Sequence, residues 1–245
     1  GPQATHEAAL TRMRAAGAQV TAHVCDVGCE QQVASLWRDV LAHLPPLRGV
    51  IHCAGIVEDG ALAEQTAARF DAVAHPKVDG AWNLHRQLED QPLDFFALYS
   101  SSSALFGAPG QANYAAANAF LDALASSRRS HGLECTSIAW GAWSEQGMAA
   151  RLGHDVLARW ARIGIGFIDP AAGMVALEAA IASGAPRIAV VALDKSRFVE
   201  HSPAAVRALL GGEQSDRPST ARGEAPGATR VDRVALVAAQ PGERA

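Results

Sequence analysis

Lysine is nearly absent from this chain. Among 245 residues only Lys77 and Lys195 are lysines, and arginine supplies the other basic side chains. A lysine kept in so arginine-favouring a composition stands out. The net charge is −4 with no basic stripe, which excludes the electrostatic footprint of a nucleic-acid-binding surface. No apolar run approaches the ~20 residues of a membrane-spanning helix. The opening GPQATHEAAL lacks the charged and apolar regions of a secretory signal. These absences point to a cytoplasmic protein with neither nucleic acid nor membrane as partner. Cysteine is sparse as well: Cys25, Cys29, Cys53 and Cys135 form no paired framework and read as free thiols. The neighbouring pairs His23/Cys25 and His52/Cys53 match no structural zinc spacing, so no metal is expected.

A hydrophobic content of 49% and a charged content of 19% belong to a globular domain long enough for a sizeable core. Strands are expected at 19–27, 49–55, 94–101 and 187–194, and 134–143 reads as a strand followed by a loop. The runs at 49–55 and 94–101 are continuous enough to be buried on both faces. Helices are expected at 4–17, 30–43, 66–88 with a bend near Pro76, 112–131, 147–163 and 170–183. Strands alternating with helices of this length imply βαβ units in a doubly wound parallel α/β sheet. Ligands bind at the carboxyl ends of strands in such a sheet. Asp26, Gly55, Ser101 and the 140–148 loop all fall at those ends, so distant segments converge. From Gly211 the sequence loses apolar periodicity and gains Gly, Pro, Ser and charge. Residues 1–200 therefore read as one folded domain and 201–245 as a flexible linker, with a short helix beginning in VDRVALVA (231–238).

The most informative residue is Tyr114, because Asn118 lies four residues on, Ser101 thirteen before and Lys77 thirty-seven before. Carbonyl reduction needs these residue types. A phenol can give a proton to the carbonyl oxygen, and a hydroxyl can hydrogen-bond that oxygen. An ammonium can favour the ionised phenol, whose free pKa is about 10. Asn118 lies one helical turn beyond Tyr114 and can hold a water for proton resupply. Taken singly, each has an ordinary explanation: a turn serine, a packed aromatic, a solvated lysine and an odd helix-interior asparagine. Only the joint spacing points to chemistry.

That constellation resembles the ketoreductase domain of modular type I polyketide synthases, in the short-chain dehydrogenase/reductase superfamily. The resembling stretches are IHCAGIVEDG (51–60), HPKVDGAW (75–82), ALYSSSSALFGAPGQANYAAANAFLDAL (97–124) and SIAWGAW (137–143). The resemblance implies a Rossmann-like fold and reduction, by NADPH, of a 3-oxoacyl chain on the phosphopantetheine arm of an acyl carrier protein. Other synthase domains would be neighbours. It implies catalytic roles for Lys77, Ser101, Tyr114 and Asn118. Cofactor contacts would come from Asp26, Val27, Cys53, Ala54, Gly55, Lys77 and Tyr114. Two of these have ordinary readings too: Asp26 as a helix N-cap and Gly55 as a tight strand exit. Val57-Glu58-Asp59 resembles the Leu-Asp-Asp motif of B-type ketoreductases, which make the R (D-type) 3-hydroxyl, and Asp59 is its most diagnostic position. A-type enzymes carry tryptophan eight residues before the tyrosine; here Phe106 stands there. Residues 144–168 resemble the family's lid, with Met148 and Trp160 facing the acyl chain or packing the helix on the body.

One family element does not appear: the glycine-rich strand–turn–helix that seats the cofactor pyrophosphate. Gly164-Ile165-Gly166 follows a helix rather than a strand. In the family's sheet order, 3-2-1-4-5-6-7, strands 1 and 2 would lie between segments 19–27 and 49–55. The sequence thus reads as a sheet lacking its first strand–helix–strand, with an N-terminal segment as missing partner and an unpaired edge at 49–55. Two rivals follow: an inactive or structural remnant, and a stand-alone short-chain reductase. The WGAW loop and the Lys77/Asn118 arrangement argue against the second.

Overall fold

The computed structural model describes residues 2–144, 154–209 and 236–238. Five parallel strands form one sheet in chain order: β1 (Gly49–His52), β2 (Phe95–Ser101), β3 (Thr136–Trp140), β4 (Arg187–Val191) and β5 (Leu236–Ala238). The register pairs Gly49 with Phe95, Ala97 with Thr136, Ser137 with Arg187, and Ala189 with Leu236. Helical segments link the strands: α1 (Pro2–Ala15) and α2 (Glu30–Asp39) come first. Then α3 (Ala67–Ala74) and α4 (Gly80–Gln87) precede β2, and α5 (Ser102–Phe106) and α6 (Ala112–Ser130) precede β3. After β3 come α7 (His154–Arg162) and α8 (Pro170–Ala182), and after β4 come α9 (Lys195–His201) and α10 (Ala204–Leu209). No helix among the described residues is long and apolar enough to cross a membrane.

Strand periodicity explains the two cores. On β2, Phe96 and Leu98 point to one face and pack with Leu88, Leu121, Leu124 and Cys135. Tyr99 points to the other and joins Ile138, Trp140, Ile168, Leu177, Ile188 and Val190. Alanine-rich α6 lies on the first face and α8 on the second, the doubly wound arrangement expected. The start of α8 has a local cause: the Asp169 carboxylate accepts from the amides of Ala171 and Ala172, and Pro170 opens the helix.

Three expectations need correction. Residues 19–27 form no strand: 18–26 are irregular and Val24 is fully exposed. Its β-favouring residues stabilise a strand only beside a partner, and no described segment lies alongside. Correspondingly, β1 pairs on one side only, with β2, and Ile51 is 46% exposed. Second, Leu236–Ala238 pairs in parallel with β4 rather than opening a helix. Third, α9 and α10 extend regular structure through residues for which no element was expected.

Leu121 is fully buried on the α6 face that meets the sheet. Replacing it by alanine is expected to lower the unfolding free energy by about 2–5 kcal/mol in chemical denaturation. An unchanged midpoint would contradict this packing.

Candidate active site

Helix α3 starts at its Thr66 cap, whose hydroxyl accepts from the Arg69 amide. It cannot run on unchanged through Pro76, which lacks an N–H and crowds the preceding turn. The chain widens into a π-helical turn, His75–Asp79, before resuming as α4. Lys77 lies within that turn and is 3% exposed. Its Nζ donates to the Tyr99 carbonyl on β2 at 2.9 Å. Its stem crosses Gly55, where a Cβ would meet Lys77 Cε at 2.8 Å, so this close approach requires glycine. The ammonium stands 5.2 Å from the centre of the Tyr114 ring. Burial pulls the Lys77 pKa down to about 8, against opposing contributions from Cys53 and Asp122.

Tyr114 and Asn118 sit one turn apart on α6, both buried. Asn118 Nδ2 donates back to the Tyr114 carbonyl at 2.7 Å, and its buried Oδ1 has no hydrogen-bond partner. Ser100 Oγ donates to the Asn118 carbonyl at 3.3 Å, tying this turn to the end of β2. Ser101 caps α5: its Oγ accepts from the Ser103 amide at 3.1 Å and the Ser103 hydroxyl at 3.0 Å. The turn role and the chemical role coexist, because an Oγ that accepts keeps its own O–H free to donate. The Tyr114 phenol is shifted upward, first by burial and lastly by Asp59, with Asn118 and Ser101 pulling the other way. This departs from the expectation that Lys77 makes the phenol a stronger acid. Burial wins, and the phenol keeps its proton at neutral pH, the form that can donate one.

The 57–60 loop is fastened to the front of α6. Gln111 Nε2 donates to both Asp59 carboxylate oxygens at 3.1 and 3.2 Å. Asn113 Nδ2 donates to the Glu58 carbonyl at 2.9 Å, and the Gly60 amide to the Gly110 carbonyl at 2.9 Å. Val57 packs on Val73, Tyr114 and Ala117. Gln111 and Asn113 escaped the sequence reading; their place just before Tyr114 was the available signal. Phe106 is turned into a cluster with Val206 and Phe198, its ring 5.1 Å from that of Phe198. Trp160 packs 6.1 Å from Phe167. Met148 lies outside the described residues.

Asp26 does not cap α2, whose N-cap residue is Cys29. Its carboxylate accepts from the Gly28 amide at 3.0 Å and lies 3.0 Å from His75 Nε2. Val27 is held by Asn83, whose Nδ2 donates to the carbonyls of Val27 and Gly28, each at 3.0 Å. Cys53 is exposed, and Ala54 and Gly55 follow it out of β1 beside the Lys77 stem. A buried cation, a protonated phenol and an orphaned amide oxygen at the strand ends suit the nicotinamide–ribose end of a dinucleotide. No described residues form a glycine-rich strand–turn–helix for its pyrophosphate.

The fold and this grouping define a doubly wound α/β domain with a buried lysine, tyrosine and asparagine at the strand ends. The KR domain family model matches residues 1–145, and the chain belongs to that family, the ketoreductase domains of modular type I polyketide synthases. It is 43% identical over 256 residues to the spectinabilin polyketide synthase system protein NorB of Streptomyces orinoci, covering 100% of this chain. It is also 43% identical over 199 residues, 80% of this chain, to the "Putative inactive phenolphthiocerol synthesis polyketide synthase type I Pks1" of Mycobacterium tuberculosis. The chain spans only 11% and 12% of those two proteins. Among solved structures, A-type ketoreductases from a modular polyketide synthase superpose with a TM-score of 0.73 at 37% identity, covering 80% of this chain and 42% of theirs.

Selective lysine labelling yields two side-chain NMR signals, from Lys77 and Lys195. The Lys77 signal is expected to titrate near pH 8 rather than at the ordinary value of 10.5. Since the folded-state value is the lower one, the fold releases a proton first, and this group's contribution to stability rises with pH from about 8 to 10.5. An ordinary lysine midpoint for both signals would contradict the burial.

Proposed function

We propose that this chain catalyses the reduction of a 3-oxoacyl thioester, presented by an acyl carrier protein, to the 3-hydroxyacyl thioester. The observation that carries the reading is the buried Lys77 ammonium over the Tyr114 ring, with Asn118 one turn further along α6 and Ser101 at the end of β2. A reduced nicotinamide, as NADPH, supplies hydride to the 3-keto carbon when bound. Ser101 donates its free O–H to the carbonyl oxygen and holds the charge that develops there. Tyr114 gives up its proton to that oxygen. Lys77 then stabilises the phenolate with its positive charge. The unpartnered Oδ1 of Asn118 accepts a hydrogen bond from a water that returns the proton. Asp26, Val27, Cys53, Ala54 and Gly55, with Lys77 and Tyr114, contact the cofactor.

The Asp59 loop, fastened beside Tyr114, fits B-type control of product configuration. The R 3-hydroxyl is the product assigned. Residues 1–200 act as the catalytic unit in a cytoplasmic synthase, and 201–245 connect it to neighbouring domains.

A second reading is an inactive ketoreductase. Support for it comes from the relative whose name marks it as putatively inactive. NADPH titration by nicotinamide fluorescence separates the two.

Tyr114→Phe, which removes only the proton donor, is expected to cut turnover of a 3-oxoacyl thioester by roughly 10²–10³-fold, while NADPH affinity changes little. Near-normal turnover of that variant would refute the acid role.

A further inference from the structure

One side chain in this region was given no role of its own in the sequence reading. His75 opens the π-helical turn that delivers Lys77, and its two ring nitrogens face two carboxylates. Nε2 lies 3.0 Å from Asp26 Oδ2, and Nδ1 lies 3.4 Å from Asp79 Oδ2. Only the doubly protonated imidazolium donates from both nitrogens at once. The ring also lies close against Gly28, where a Cβ would meet three of its atoms at 2.5, 2.6 and 2.7 Å. Any residue but glycine there would displace it. The same turn is tethered twice more to the same helical run. Asn83 holds the Val27 and Gly28 carbonyls, and Gly80 leaves room for Val27, whose Cγ2 would lie 2.9 Å from an added Cβ.

We propose that His75 is a positioning residue for the cofactor end of the site: by bridging Asp26 and Asp79 it fixes the Asp26 carboxylate, and with it the 26–28 turn, relative to Lys77. Its consequence for cofactor affinity rests on the ketoreductase reading above. The bridge does not consume Asp26. Each carboxylate oxygen has two acceptor positions, and Asp26 commits one on Oδ1 to the Gly28 amide and one on Oδ2 to His75. Capacity remains for a further donor, such as the exocyclic amine of a purine.

The charged groups facing the imidazole are Asp26 from the turn and Asp79 from its own helical run. The Asp26 hydrogen bond is the main cause holding the imidazole above the ordinary histidine range, and the His75 hydrogen bond the main cause holding Asp26 below the carboxylate range. The His75 contribution to stability is therefore complete below its ordinary value of 6.5 and is lost as pH rises through the raised one. The Asp26 contribution is complete above 3.8 and is lost as pH falls through its lowered value. Both partners are solvent-exposed, so the effect is small and sensitive to salt.

NMR titration of the His75 ring and the Gly28 amide in the intact chain reads the bridge without cofactor. His75 is expected to titrate above the ordinary histidine value, Asp26→Asn to lower that midpoint, and the Gly28 amide to follow it. A normal midpoint, or one that Asp26→Asn leaves in place, would overturn the proposal. The second arm is NADPH titration by nicotinamide fluorescence. His75→Ala is expected to weaken binding about two- to fivefold below about pH 6. His75→Gln, which keeps one donor, should lose less, and both differences should close as the wild-type imidazole deprotonates. Equal affinity of all three proteins at low pH would overturn the proposal. A wild type that binds no NADPH would instead break the ketoreductase reading, and the imidazole titration would still decide the bridge.

Discussion

Much of this structure answers to one constraint: an ammonium has been taken out of water at the carboxyl ends of the strands. An amine that buried favours its neutral form unless neighbours hold the charge. Here the compensation comes from the Tyr99 carbonyl, the face of the Tyr114 ring and the nearby Asp122 carboxylate. Meeting that demand needs the π-helical turn forced by Pro76, the bare backbone of Gly55, and the register that brings the end of β2 under the lysine. Sheet, turn and helix α6 thus converge on a few atoms, and the phenol stays protonated because the same burial acts on it in the opposite sense.

A buried amine and a buried phenol side by side also explain the neutral hydrogen-bonding groups around them. Ser101 has its acceptor positions taken up by Ser103, which leaves its own O–H free to donate. Asn118 spends its amide nitrogen on the backbone of its own helix, which leaves its oxygen unpartnered. Both groups are half-satisfied by local structure, and the remaining half is available to a substrate or a water. Such partial satisfaction costs stability and is characteristic of sites rather than of cores.

The layering was legible in the sequence because continuous apolar strands and alternating helices leave few packings. The positions of Lys77, Ser101, Tyr114 and Asn118 were legible through their joint spacing. Segment 19–27 was misread because β propensity says nothing about whether a partner strand lies alongside. The direction of the Tyr114 shift was misread because spacing reports neighbours but not burial, and burial dominates. Gln111, Asn113, Asn83 and His75 were missed since each acts through hydrogen bonds to a segment 40 or more residues away and leaves no periodic trace.

Deuterium transfer tests the assignment most directly. The polypeptide is given a 3-oxoacyl thioester and 4-deuterated NADPH, and the product is resolved by mass and configuration. Deuterium at carbon 3 of an R-configured alcohol, lost on replacing Lys77 by methionine, is the predicted result. Bound cofactor with no deuterium in the acyl chain would contradict it.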